Sequence, residues 1–109
     1  MEEYKIYVGL NDRQTRVQKF DEEKYLNVLK VICKSYKVGF SVIRMDGGYF
    51  HEDSTFVNEN ALQLTFLGTD YDVVREIAKD LCTAFNQETV IISKNEISVE
   101  FIKEEKLDI

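Results

Sequence analysis

The sequence lacks several residue types on which whole classes of protein depend. Its 109 residues include no proline and no tryptophan, only two cysteines and a single histidine. One histidine excludes a multi-histidine metal site, and Cys33 and Cys82 have no cysteine or histidine at metal-ligand spacing. We therefore expect no metal and no cofactor. Both cysteines fall on apolar faces of predicted helices, which indicates two unpaired, buried thiols.

Positive charge is also scarce. The chain has 14 lysines and arginines against 20 aspartates and glutamates, a net charge of −6. Proteins that bind nucleic acid neutralise phosphates with basic side chains, so this balance argues against a nucleic-acid partner. No apolar run is long enough to cross a membrane, and the acidic N-terminus lacks the apolar segment of a signal peptide. These absences predict a cytoplasmic protein without a membrane partner.

The apolar residues that are present suffice for one core. Hydrophobic residues make up 44% of the chain and include seven phenylalanines and six tyrosines. At this length we expect one domain over residues 1–102, followed by a charged tail over residues 103–109.

Hydrophobic periodicity divides the chain into alternating strands and helices. Leu62, Leu64 and Phe66 alternate with small or polar residues, as in a half-buried strand, whereas Val74, Ile77 and their successors recur at helical spacing. The predicted elements are a strand at 4–10, a helix from 21 to before 39, strands at 40–50 and 56–67, a helix from 69 or 70 to about 86, and strands at 89–93 and 97–102.

This order contains the strand–helix–strand pattern twice. It predicts an α+β, ferredoxin-like split βαβ sandwich: an antiparallel sheet with two helices on one face and an extra C-terminal strand. Asp46-Gly47-Gly48 interrupts the second strand and fits a bulge or a hairpin turn. We favour the bulge, because the apolar alternation resumes at Tyr49.

Such a sandwich leaves one sheet face uncovered. The residues predicted for this face are mostly apolar or uncharged, and extensive apolar patches are rare on monomers. We therefore expect a homodimer that buries this face against its own copy. The predicted interface residues are Tyr7, Ile43, Ala61, Gln63 and Ile91.

Two groups of charged residues are candidates for a ligand site. Arg13 and Arg16 share a polar loop before the first helix and could hold an anion there, although a solvated surface loop is the alternative. Glu59 lies inside a predicted strand, where a carboxylate faces either solvent or a ligand. Gly9 has no side chain, so another group can approach the backbone at that point.

Two further polar residues complete the candidates. His51 falls in a predicted hairpin loop, where it is either solvated or part of a weak cation site with its acidic neighbours. Gln87 follows Asn86, which a helix C-cap explains, so Gln87 is free for a polar contact.

Four landmarks resemble an uncharacterised bacterial family, domain of unknown function 3574. That family has a strand with Phe-Gly, a Gly-x-Trp pair, an Arg-Glu-Arg-Ser run and a Phe-Gly-Gln-x-Ser-Val run. Here Tyr49 replaces the tryptophan, and the residues around Glu59 lack both arginines and the serine. The resemblance implies a ferredoxin-like shape and marks Glu59 and Gln87, but it implies no activity. The matching segments are Tyr7-Val8-Gly9-Leu10, Asp46-Gly47-Gly48-Tyr49, Glu59 and Phe85-Asn86-Gln87-Glu88-Thr89-Val90.

Two function classes stay open. The first is a non-enzymatic binding protein, such as a phage or mobile-element accessory protein that inhibits a host protein or captures a small anionic ligand. The second is a small enzyme of the dimeric α+β-barrel type, with a pocket between helices and sheet and Glu59 or His51 as its catalytic group. We favour the first, because no catalytic motif stands out. The predicted ligand-binding residues are Arg13, Arg16, Glu59 and Gln87.

Overall fold

The computed structural model describes residues 1–106, which form four strands and two helices. The sheet is antiparallel throughout, with the strand order β2-β3-β1-β4. This is the predicted α+β, ferredoxin-like fold. No helix in the described part of the chain is long and apolar enough to cross a membrane. The elements are β1 (Glu2–Gly9), α1 (Glu22–Ser35), β2 (Ser41–Phe50), β3 (Phe56–Leu67), α2 (Tyr71–Ala84) and β4 (Ile91–Glu96).

The core lies between the sheet and the two helices. Every second side chain of β1 and of the C-terminal half of β3 points toward the helices, which is the geometry that strand alternation predicts. Burial raises the pKa of the Cys33 thiol to about 11, and the protein contains no disulfide within residues 1–106. The fully buried core side chains include Ile6, Val8, Leu29, Cys33, Leu62, Leu64, Phe66, Ile77 and Leu81.

The glycine pair in β2 forms neither a bulge nor a turn, so both interpretations of Asp46-Gly47-Gly48 were wrong. The β2–β3 pairing continues without interruption to Phe50 and Phe56, and the hairpin connection follows at residues 51–55. A cross-strand contact explains why position 48 is a glycine: a Cβ there would collide with the Phe56 ring. The glycine therefore makes room for an aromatic side chain inside a regular ladder.

The extra C-terminal strand predicted at 97–102 is also absent. Residues 97–106 have no regular secondary structure, and β4 instead extends through the predicted turn at Asn95 to Glu96. The last backbone bond on this side runs from the Ile97 N–H to the Met1 carbonyl, at 2.9 Å. Residues 98–106 pair with no strand in the described part of the chain. Residues 107–109 of the predicted tail lie outside the described residues.

The β2–β3 hairpin extends beyond the end of β1. The last β1–β3 pair is Gly9 with Ala61, while β3 continues through residues 56–60 paired only with β2. The end of β1 is therefore a corner, bounded by the hairpin on one side and by the loop after β1 on the other.

Candidate functional site

A cleft with a volume of about 450 Å³ occupies this corner, on the sheet face away from the helices. The chain brings together residues from the end of β1, the following loop, the β2–β3 hairpin and the segment after α2. All four ligand-binding residues predicted from the sequence line this cleft: Arg13, Arg16, Glu59 and Gln87. The other lining residues include Tyr7, Gly9, Asn11, Asp12, Tyr49, His51, Ala61, Glu88, Thr89 and Ile91.

Glu59 places a carboxylate on the floor of the cleft. Its carboxyl group lies against the backbone of Gly9, where an added Cβ would come within 2.6 Å of the Glu59 Oε1. The Asn11 N–H donates to the Glu59 Oε2 at 3.1 Å. Partial burial raises the pKa of this carboxyl group, and the Asn11 hydrogen bond opposes that rise. The prediction that a group would approach Gly9 is thus fulfilled by Glu59 itself.

Asp12 organises the loop that carries the two arginines. This buried residue accepts hydrogen bonds from the N–H groups of Gln14 and Thr15, each at 3.1 Å, and from the Asn86 side chain at 2.6 Å. Lys19 lies 3.3 Å from the same carboxylate. These partners, with the Asn86 bond first, hold the pKa of Asp12 well below its usual range. The carboxylate therefore stays charged and fixes the loop.

The sequence analysis missed Asn11 and Asp12. The signal available was an aspartate in a polar loop, because such a side chain typically closes a turn by accepting from the N–H groups two and three residues later. The sequence alone could not show that Asn86, 74 residues away, would bind the same carboxylate.

Arg13 and Arg16 lie exposed at the rim of the cleft. The Arg13 N–H donates to the Asn86 carbonyl at 3.1 Å, and the Arg16 N–H donates to the Asp12 carbonyl at 2.7 Å. Arg16 adopts a left-handed backbone conformation with φ of 63°. Neither guanidinium forms an ion pair with any residue between 1 and 106. The backbone is held in place, and both arginines line the cleft.

Gln87 contributes one polar atom to the cleft. Its Nε2 donates to the Asn11 carbonyl at 2.7 Å, which ties the segment after α2 to the loop after β1. The Gln87 Oε1 has no hydrogen-bond partner in the described chain.

The Cys82 thiol contacts the Gln87 carbonyl at 3.1 Å. Cys82 is only half-buried, which differs from the prediction of two buried thiols.

His51 and Tyr49 form an aromatic wall that the sequence analysis did not anticipate. Their ring centroids are 5.5 Å apart with an interplanar angle of 50°. The His51 Nε2 is buried and has no hydrogen-bond partner within residues 1–106, so His51 is not the solvated loop residue of one prediction. Residues 1–106 contain no group of three histidine, cysteine, aspartate or glutamate side chains that could hold a metal ion.

The five predicted interface residues share the sheet face that contains the cleft. The strand register aligns Tyr7 with Gln63 and Ile91, and Gln63 with Ile43. Ile43 and Ile91 are 54% and 62% exposed. Because Tyr7, Ala61 and Ile91 also line the cleft, the candidate site and the apolar face are continuous. Exposed or half-buried neighbours on this face that the sequence analysis missed include Met45, Tyr49, Val57 and Leu67.

Comparison with known proteins supports the fold. No protein-family model and no curated protein matches the chain, so the resemblance to domain of unknown function 3574 stays a prediction. Among solved structures, a phage SAM lyase in complex with S-methyl-5'-thioadenosine superposes with a TM-score of 0.68 and 24% identity, over 87% of this chain and 80% of that one.

Two further structures give the same result. A phage SAM lyase in its apo state has a TM-score of 0.67 and 24% identity, over 94% of this chain and 92% of that one. CutA1 from Pyrococcus horikoshii has a TM-score of 0.55 and 14% identity, over 93% and 87%. At these identities the likeness establishes the ferredoxin-like fold and nothing further.

Proposed function

We propose that the cleft binds S-adenosylmethionine (SAM) and that the protein cleaves it, as an accessory protein of the phage type. The observation that carries the proposal is the division of charge in the cleft. A half-buried carboxylate, Glu59, lies on the floor, and two guanidinium groups, Arg13 and Arg16, lie at the rim. SAM has a cationic sulfonium, an amino-acid carboxylate and a heterocyclic base, which match the floor, the rim and the aromatic wall.

The state of Glu59 favours a cationic ligand. No lysine or arginine in the described residues forms an ion pair with it, and burial raises its pKa. A positive charge on a ligand would supply the missing partner and stabilise the ionised carboxylate. A simple anion would be repelled from the same floor.

The reaction balances without water or a co-reactant. Conversion of SAM to S-methyl-5'-thioadenosine breaks the bond between the sulfonium sulfur and the amino-acid carbon chain, and the electron pair stays on the now neutral sulfur. The amino-acid fragment either loses a proton and forms a carbon–carbon double bond, or forms a lactone as its own carboxylate oxygen bonds to the carbon that leaves the sulfur. Glu59 would hold the sulfonium and, in the elimination, accept the proton, which suits a carboxylate with a raised pKa. The arginines would hold the substrate carboxylate, and the Gln87 Oε1 would accept from its ammonium group.

Capture of a small anionic ligand without catalysis is the second candidate. It is favoured by Arg13 and Arg16, which line the cleft and whose guanidinium groups have no ion-pair partner within residues 1–106. In that case the anion would be bound at the rim and Glu59 would lie outside its contact shell.

The test is incubation of the purified protein with SAM, with S-methyl-5'-thioadenosine measured by chromatography and mass spectrometry. We expect product from the unmodified protein and a loss of about 100-fold or more in Glu59→Gln, because proton transfer by a positioned group contributes that much. Glu52→Gln, in the exposed hairpin loop, is the matched control and should retain full turnover.

Each other outcome selects a different conclusion. SAM binding without product would refute the lyase and leave SAM binding without catalysis. Absence of SAM binding, with phosphate binding that disappears in Arg16→Ala, would favour the anionic ligand. If the protein binds neither compound, both candidate functions fail.

We propose in addition that further copies of the chain cover the apolar sheet face. The support is the exposure of Ile43 and Ile91 on a face that carries few charges. A dimer is the simplest such assembly, because one patch then serves both subunits.

A further inference from the structure

We infer that Tyr49 and His51 form a subsite for the heterocyclic base of the ligand, with the His51 Nε2 as the hydrogen-bonding atom. The inference deepens the proposed function, since it states which part of a nucleoside occupies the hairpin end of the cleft. It begins from a polar atom that the fold leaves without a partner.

Buried nitrogen atoms are almost always hydrogen-bonded in folded proteins. Within residues 1–106, the His51 Nε2 is the buried side-chain nitrogen or oxygen that has no such bond. The backbone around it is fully engaged: the His51 N–H donates to the Thr55 carbonyl, and the Ser54 N–H donates to the His51 carbonyl, both at 2.8 Å. The backbone at His51 is thus held in place and the residue lines the cleft, so a turn of the imidazole about its side-chain bonds would bring Nε2 to a ligand there.

The position of His51 relative to Glu59 defines the shape of that ligand. Gly47 pairs with Glu59, Tyr49 lies two residues further along the same face of β2, and His51 comes directly after the strand ends at Phe50. With a rise of about 3.3 Å per residue, Phe50 lies roughly 10 Å from Gly47 along the strand, and His51 lies beyond it. No single small ion can contact both Glu59 and His51. A ligand that contacts both is elongated, with a cationic centre at one end and a hydrogen-bonding group at the other.

The aromatic wall indicates that the second group is a heterocycle. Tyr49 is 39% exposed and inclined to the imidazole, so the two rings form a corner instead of a stack. A ring face of this kind accepts the face of a nucleobase, while a nitrogen beside it can bond to the edge of the base. Depending on its tautomer, Nε2 donates or accepts.

A cation is a poorer occupant for this subsite. Asp53 is the nearby acidic candidate, but its carboxylate already accepts from the Thr55 N–H at 2.9 Å. The described residues contain no group of three potential metal ligands.

Two probes separate the two ends of the cleft. Adenosine carries the base without a sulfonium, and S-methylmethionine carries a sulfonium amino acid without a nucleoside. We would measure the affinity of both by isothermal titration calorimetry. His51→Phe keeps a ring of similar size and removes the nitrogen. It should weaken adenosine binding about tenfold, as expected for one lost hydrogen bond, and leave S-methylmethionine binding unchanged.

Glu59→Gln should show the reverse pattern, and Glu52→Gln, beside His51 in the exposed loop, should change neither affinity. Thermal melting of each variant controls for unfolding. The base subsite is overturned if His51→Phe weakens both probes equally, if it leaves adenosine affinity unchanged, or if the unmodified protein does not bind adenosine. Adenosine binding that depends on His51, without binding of S-methylmethionine or SAM, would support the subsite and refute the lyase.

Discussion

At the scale of single residues, Gly9 supports the site by having no side chain. The Glu59 carboxyl group occupies the space where a Cβ would lie, and the backbone at Gly9 has no positive φ that would require glycine. The need for glycine at this position therefore comes from the carboxylate and not from the strand.

Gly9→Ala should accordingly damage the site and spare the fold. The end of the Glu59 side chain can rotate away from the new methyl group, and alanine is less costly than glycine in a strand interior by about 0.5–1 kcal/mol. We expect unchanged or slightly higher stability in urea and at least a tenfold loss of affinity for SAM, an estimate of roughly one misplaced charged contact. Gly39→Ala is the control, because nothing lies within 4 Å of its Cβ position. Unchanged affinity in Gly9→Ala would contradict the placement of Glu59.

The pH dependence of stability gives a second test of Glu59. Its pKa is raised above the usual value of 4.5 in the folded protein, mainly by burial, so folding favours the protonated form. The resulting stability is complete below the unfolded pKa and is lost as pH rises through the folded pKa. The free energy of unfolding should therefore fall from about pH 4 to pH 7 more in the unmodified protein than in Glu59→Gln. Urea melts of the two proteins at both pH values would measure this, and parallel changes would refute it.

At the scale of elements, the loop over residues 11–18 depends on one carboxylate. Asp12→Ala removes the acceptor for the Gln14 and Thr15 amides and the partner of Asn86. We expect faster hydrogen exchange at those two amides and a loss of ligand affinity of about tenfold or more, since the loop positions both arginines. The amides of α2 should keep their protection. Asp72→Ala, exposed in the first turn of α2, is the control and should have no effect on the loop.

The second helix supports the core through its buried face. Leu81 is fully buried, so Leu81→Ala should lower the free energy of unfolding by about 2–5 kcal/mol through lost contacts and a residual cavity. Thr83→Ala, exposed on the same helix, should change it by less than about 0.5 kcal/mol in the same urea melts. Equal effects in the two variants would mean that the apolar face of α2 is misassigned.

Sequence periodicity was sufficient where burial on one face determines the structure. It predicted β3 at its exact bounds of Phe56 and Leu67, because alternating side chains contact one core. It failed at Gly48, where the glycine makes room for the Phe56 ring of the neighbouring strand, and at residues 97–102, where the apolar alternation has no strand to pair with. Local pattern cannot supply a cross-strand partner.

The candidate site was predictable in its charges and not in its scaffold. Arg13, Arg16 and Glu59 were found because charged residues in a loop or a strand interior are conspicuous. Asn11 was missed because it acts through its backbone N–H and carbonyl, which every residue type provides. His51 was considered as a solvated loop residue or as part of a weak cation site, because the burial of its Nε2 depends on how the hairpin folds.

At the scale of the whole molecule, the apolar sheet face predicts self-association. Ile43→Lys would place like charges close together in an assembly that buries this face, so it should reduce the molecular mass measured by light scattering to that of a monomer. Val31→Lys is the matched control, because Val31 is 68% exposed on α1, on the helix side of the sheet. That variant should keep the mass of the unmodified protein. A monomeric unmodified protein at tens of micromolar, or a loss of mass in Val31→Lys alone, would refute association through the sheet face.

The contact between Gly9 and Glu59 also restricts the order in which this sequence can evolve. A side chain at position 9 collides with the carboxylate, whereas a shorter residue at position 59 leaves that space open. Lineages that keep the site must therefore keep the glycine, and substitutions at position 9 become neutral for ligand binding only after the acid has been lost. Among descendants of this sequence, glycine at position 9 should mark those that retain the site, and an alanine there should be found together with a replaced glutamate.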